Sequence, residues 1–178
     1  MLYCAISRQV SSCIQSLTPH LLHPQVNGNR AGTAPTQGGA NIEMGGSNSN
    51  QLIEYVRSYG PRSWSCLHIA EGSLQCNNVV VQNNDIGPCG SDEFMRWADG
   101  ISVSCRGAVV RNNVVTDATD GGIVVFSPFT LVENNTIRVI NVRFTSTHLF
   151  AGDLSPIYHW PEYITRWNKP GRLSTMEG

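Results

Sequence analysis

Three times the chain repeats V-x-N-N-x-[IV]: Val81-Gln82-Asn83-Asn84-Asp85-Ile86, Val110-Arg111-Asn112-Asn113-Val114-Val115 and Val132-Glu133-Asn134-Asn135-Thr136-Ile137. A second motif, a Gly followed by alternating apolar residues, interleaves with it at Gly100-Ile101-Ser102-Val103 and Gly122-Ile123-Val124-Val125. Ile101, Asn112, Ile123 and Asn134 follow one another at intervals of 11 residues, so a full cycle is 22 residues. A repeat of this length constrains the fold more than any composition, because each cycle must bury its apolar face against its neighbours. Weaker copies lie upstream. Asn41-Ile42-Glu43-Met44 and Cys66-Leu67-His68-Ile69 match the second motif, and Ile53-Glu54-Tyr55-Val56 stands where the first belongs, with Tyr55 in the first Asn position. The interval stretches to 16 residues between Leu67 and Asn83 and to 18 between Asn83 and Ile101. The surplus, residues 72–77 and 87–97, is rich in Gly, Ser, Asn, Cys and Pro and reads as loops leaving one side of a regular stack.

Strands of three to five residues in a 22-residue cycle suit an all-β parallel solenoid of about four to five coils, stacked ~4.8 Å apart. Strand alternation turns Ile42/Met44, Leu67/Ile69, Ile101/Val103 and Ile123/Val125 inward, as one apolar column. Asn tolerates the left-handed turn between strands better than other non-Gly residues. An Asn at the same turn of every coil can also hydrogen-bond to its copy, as in stacked in-register β structures. Asn83, Asn112 and Asn134, or their immediate neighbours, are the expected ladder. The sequon Asn134-Asn135-Thr136 falls inside it, so a buried ladder predicts an unmodified site. The competing fold is an antiparallel β-sandwich, which does not explain Asn pairs at identical points of the cycle.

Composition agrees. Fifteen Asn and 17 Gly outnumber 12 basic residues, and Lys169 is the only lysine. With 14% charged residues and a net charge of −1, no basic excess draws the chain to nucleic acid or an anionic membrane. No apolar run approaches the length of a membrane-spanning helix. Of the cysteines Cys4, Cys13, Cys66, Cys76, Cys89 and Cys105, none forms a C-x-x-C pair, which leaves zinc and thioredoxin-type chemistry without support. Cys66, Cys76, Cys89 and Cys105 are close enough in sequence for two disulfides, with three connectivities open. Residues 1–25 contain no convincing signal peptide.

On these motifs the span 26–137 resembles the right-handed parallel β-helix proteins of the pectin-lyase-like superfold, and above all the secreted fungal and bacterial right-handed β-helix repeat proteins. The resemblance is carried by GANIEMGG at 39–46, LHIAEG at 67–72, IGPCG at 86–90, WADGIS at 97–102 and TDGGIV at 119–124. It implies an extracellular or cell-wall setting and a role with polysaccharide, without specifying a reaction. The paired-Asp and Gly-His signatures of polygalacturonase-type hydrolases are absent. In Trp97-Ala98-Asp99-Gly100, Gly stands where the W-x-D-H line of pectate and pectin lyases has His. The expected organisation is an irregular segment 1–25, a β-helix domain 26–144 and an irregular tail or cap 145–178. Residues 139–144 are a candidate last strand with Ile140, Val142 and Phe144 inward. The aperiodic ends are expected of a truncated or mis-spliced member, the alternative being a genuine cap over the open end.

Outward side chains at equivalent points of neighbouring coils also stack, and one such row reads Glu43, His68, Ser102, Val124. Glu43 beside His68 is a candidate general acid/base pair, since a carboxylate orients imidazole and raises its pKa; the plainer alternative is a cross-strand polar pair. Asp99 and Asp120 fall at nearly the same point of successive coils, one register step apart, with Asp92 and Glu93 in the preceding loop and Asp117 nearby. Paired carboxylates suit Ca²⁺ or glycoside hydrolysis, whereas Asp before Gly also serves simple turn chemistry. Trp64 and Trp97 are candidate sugar-stacking residues or loop packing, and Arg62 and Arg96 beside them candidate uronate contacts. Two functions stand: a polysaccharide lyase or glycoside hydrolase, with His68, Glu43, Asp99 and Asp120 catalytic and Trp64, Trp97, Arg96, Asp92 and Glu93 binding substrate, or a non-catalytic carbohydrate-binding solenoid. No resident metal is assigned.

Overall fold

Short β-branched triplets punctuated by residues that accept a left-handed backbone give the chain many brief strands and abrupt corners. The computed structural model describes residues 20–32, 34–70, 76–93, 96–138, 140 and 149–151. Its strands are β1 (His20–Leu22), β2 (Gln25–Asn27), β3 (Ala40–Gly45), β4 (Leu52–Glu54), β5 (Arg57–Tyr59), β6 (Ser65–Ala70), β7 (Val80–Gln82) and β8 (Asp85–Ile86), followed by β9 (Asp99–Val103), β10 (Val109–Arg111), β11 (Val114–Thr116), β12 (Ile123–Val125), β13 (Leu131–Glu133), β14 (Thr136–Arg138) and β15 (Leu149–Ala151). Consecutive strands pass to three different sheets in rotation. The first sheet runs β1-β4-β7-β10-β13, the second β2-β5-β8-β11-β14 and the third β3-β6-β9-β12-β15. All strand pairings within them are parallel. The chain is therefore nearly all β with parallel sheets, compatible with a solenoid, and the antiparallel sandwich is excluded. We call one passage through the three sheets a circuit.

The inward rows expected from alternation form the core. Ile42, Leu67, Ile69, Ile101, Val103, Ile123 and Val125 are buried and Met44 packs against them. Inward residues of the other two sheets join them, Ile53, Val81, Val110 and Val132 from the first and Ile86 and Val115 from the second. The second motif begins with Gly because of this enclosure. A methyl group on Gly100 would meet Val115 Cγ1 at 2.4 Å, and one on Gly122 would meet Ile137 Cδ1 at 2.9 Å, so nothing larger fits opposite the second sheet.

The two asparagines of each pair divide the work at the corner between the first and second sheets. The first takes the left-handed turn, with φ of 56° at Asn83, 54° at Asn112 and 53° at Asn134, and Tyr55 adopts the same turn at 56°. The second is buried and builds the ladder. Asn84 Nδ2 donates to Asn113 Oδ1 (2.8 Å) and Asn113 Nδ2 to Asn135 Oδ1 (2.9 Å). Each side-chain oxygen also accepts a backbone N–H one circuit earlier, from Val56, Asn84 and Asn113 in turn. Each side-chain nitrogen donates to a strand carbonyl of the earlier circuit, at Ile53, Val81 and Val110. The ladder thus falls on the immediate neighbours of Asn83, Asn112 and Asn134. It ends at Val56, and Pro24 occupies the same corner one circuit further back. Proline has no N–H to donate, so an oxygen at position 56 would find no donor there.

The ladder steps are 28, 29 and 22 residues. The longer circuits carry their surplus between β6 and β7 and between β8 and β9. The second surplus, residues 87–97, is the expected loop where described, closed by Arg96 N to Glu93 O and Ser91 N to Arg96 O, both 3.0 Å. Of the three connectivities, the disulfides are Cys66–Cys89 and Cys76–Cys105. They close 23 and 29 residues of chain, worth roughly 3–4 kcal/mol each in the chain-entropy account.

Pairing begins at His20, ahead of Val26, because β1 and β2 lie in register on β4 and β5. At the other end Leu149–Ala151 pairs with β12, inside the span read as an irregular tail. Ile140, expected inward, is 66% exposed, its N–H held by Asp117 Oδ1. Cys4, Cys13, most of the candidate strand at 139–144 and nearly all of 145–178 lie outside the described residues.

Candidate functional site

The third sheet holds the stacked row read from sequence, with Glu43 and His68 partly exposed but Ser102 and Val124, expected outward, buried. Glu43 pairs with His68, His68 with Ser102 and Ser102 with Val124. Glu43 Oε1 lies 3.7 Å from His68 Nδ1, with both side chains partly exposed. The carboxylate can orient the ring while leaving the other nitrogen available. In this geometry the pair is an ion pair only when the imidazole is protonated.

Asp99 sits at the start of β9. Its Oδ2 accepts the Ser102 hydroxyl at 2.8 Å and its Oδ1 accepts the Gly121 N–H at 2.8 Å. Ser65 Oγ lies 3.0 Å from Ser102 Oγ. With the single Ser102 proton directed at Asp99, Ser65 supplies the proton of that contact, so the hydroxyls run as a relay toward the carboxylate. Burial pushes the Asp99 carboxyl above the usual carboxylate range. The Ser102 and Gly121 hydrogen bonds oppose the shift, Asp120 adds to it and His68 pulls it down. Glycine is needed at 121, since a Cβ there would strike Val124 Cγ2 and crowd Asp99 Oδ1.

The structure brings only part of the expected set together. Asp120 is exposed, its N–H bonded to Ala98 O at 3.2 Å. It lies one register step from Asp99 and bears on it through charge alone. Among the described residues no group of three or more His, Cys, Asp or Glu converges in a way that could hold a metal ion. Arg96 is paired with Glu93 at 2.7 Å in the loop, and its carbonyl accepts Arg30 Nη1; Asp92 beside Glu93 is exposed. Arg62 is turned to Ala34 O, 2.8 Å away. Trp64 and Trp97 precede β6 and β9 on neighbouring circuits and are 61% and 38% exposed. Asp117 spends an oxygen on the Ile140 N–H, 23 residues along the chain.

Ser65 is the site residue that sequence reasoning missed. Strict alternation gives it the parity of Leu67 and Ile69 and so turns it inward. Yet Cys66 and Leu67 are both buried, which breaks the alternation at the start of β6 and leaves Ser65 Oγ against Ser102. The clue was Cys66 itself, a cysteine at the position where the two later circuits place Gly100 and Gly122. No protein-family profile matches the chain, and neither a curated protein nor a solved structure matches it.

Proposed function

We propose that the chain is a right-handed parallel β-helix of the pectin-lyase-like kind, acting outside the cell on polysaccharide along the outer face of its third sheet. Right-handed winding is supported by the rotation of consecutive strands among three parallel sheets, since parallel crossover connections are right-handed in about 98% of cases. Two disulfides within the repeat suit an oxidising compartment. Trp64 and Trp97, exposed on neighbouring circuits, offer apolar ring faces against which pyranose rings stack.

The observation that carries the catalytic reading is Asp99: a carboxyl raised by burial, whose partner Ser102 is in register with an imidazole 3.7 Å from a second carboxylate. A carboxylic acid kept protonated above its usual range serves as general acid at the glycosidic oxygen. His68, beside Glu43, serves as base toward water or an acidic ring proton. The two candidates sit on adjacent strands, β6 and β9. The alternative, a non-catalytic glycan-binding face, is favoured by one fact: both Asp99 oxygens already accept hydrogen bonds within the sheet.

Reducing-sugar release and the absorbance of unsaturated products, measured on pectin, alginate and glucan, test the reading. Turnover on one of them is expected, falling on the order of 10²-fold in Asp99→Asn and in His68→Ala. Turnover unchanged in both variants contradicts the assignment. Binding without any turnover selects the non-catalytic alternative.

A further inference from the structure

We propose that Asn134 is an acceptor for an N-linked glycan. Of the 15 asparagines it alone begins an N-x-[ST] sequon, Asn134-Asn135-Thr136. The ladder does not protect it, because the buried rung of this circuit is Asn135, whose amide bridges Asn113 and Val110. Asn134 is exposed, at the apex of a left-handed turn with φ of 53°. By contrast Asn83, at the same point two circuits earlier, gives its Nδ2 to Glu54 at 2.9 Å. A sugar on the Asn134 amide therefore breaks no hydrogen bond of the ladder. The corner between β13 and β14 joins the first and second sheets, whereas the candidate site lies on the third, so the glycan is attached away from it. Two disulfides suit the oxidising compartment in which such transfer takes place.

The donor is an oligosaccharide linked to a lipid pyrophosphate. Asn134 Nδ2 forms a bond to sugar C1, the C1–O bond to the pyrophosphate breaks, and its electron pair leaves with the lipid pyrophosphate. The proton lost from Nδ2 passes to a base of the transferase.

Secretion of the full chain behind a cleavable leader from a eukaryotic host, read by intact mass, tests the proposal. One glycan is expected, released by peptide N-glycosidase and absent from Thr136→Val. That variant places the residue of the neighbouring circuit, Val114, which stands in register with Thr136. The reciprocal Val114→Thr creates a sequon at Asn112, in the same turn at φ 54°, and is expected to carry two. Wild-type protein secreted without glycan overturns the proposal, most sharply if Val114→Thr acquires one; so does a glycan that persists in Thr136→Val. The outcome is independent of the third-sheet site, whose assays stand whichever way it falls.

Discussion

Asn84, Asn113 and Asn135 repeat one hydrogen-bonding pattern three times, whereas the stacked outer row of the third sheet carries four different residues, Glu43, His68, Ser102 and Val124. Both are columns of side chains in register at the same strand spacing. The corner column is buried, so every amide nitrogen and oxygen must be matched by the circuit beside it. A change in one rung orphans groups in the next. In the other row Ser102 and Val124 are buried as well, but at its open end, Glu43 and His68, the side chains are partly solvated and carry no such obligation. Repetition marks scaffold, and under the proposed function the solvated end of the varied row is where a ligand would meet the sheet.

Breaking the corner in its middle is the most severe disruption. Asn113→Ala strips partners from Asn84 and Val81, and should cost about 3 kcal/mol in denaturant unfolding, since each orphaned buried group costs about 1–3 kcal/mol. A loss under about 0.5 kcal/mol, the size of an ordinary surface substitution, would mean that the ladder does not hold the corner.

Extending the repeat should also hurt. Val56→Asn introduces a rung whose oxygen meets Pro24, and a loss of about 1–2 kcal/mol is expected from the half-satisfied buried amide. A gain in stability would show that the ladder is not limited by the proline.

At the third sheet the effect depends on pH. The folded state holds the Asp99 proton more tightly than the unfolded chain, so this contribution to stability is full below the ordinary carboxylate range, near pH 4, and is lost as pH rises through the raised folded value. Asp99→Asn keeps an oxygen for the Gly121 N–H and has no charge to titrate. The difference in Tm between variant and wild type should therefore grow in favour of the variant from pH 4 toward neutrality. A difference that stays constant with pH removes the raised carboxyl from the account.

The smallest change is expected at His68→Ala, because its partner is partly solvated. Stability should move by less than about 1 kcal/mol even though turnover is expected to collapse. A larger loss would place His68 with the scaffold.

How far each region could be read from sequence follows from the same contrast. Repetition exposed the cycle, the inward apolar rows, the register of Glu43, His68, Ser102 and Val124, and the place of Tyr55 in the first Asn position, though not the burial of Ser102 and Val124. It did not decide which member of each Asn pair is buried, because two adjacent identical residues give the same pattern in either role. Only the corner geometry separates Asn134 from Asn135. The Ser65–Ser102–Asp99 contacts were hidden for another reason. They depend on Cys66 and Gly100 turning inward next to Leu67 and Ile101, a departure from period two that no alternation pattern contains. The disulfide partners needed positions in space, since Cys76 and Cys105 meet across circuits at a Cα separation of 5.0 Å.

The claim that the outer face of the third sheet is the ligand face is tested most directly by tryptophan fluorescence during titration with soluble pectin, alginate and glucan fragments. Trp64, the more exposed of the two tryptophans that precede strands of that sheet, should report a saturable change with one of them, and most of the amplitude should vanish in Trp64→Ala. A flat titration with every fragment, or an amplitude undiminished in Trp64→Ala, would contradict it.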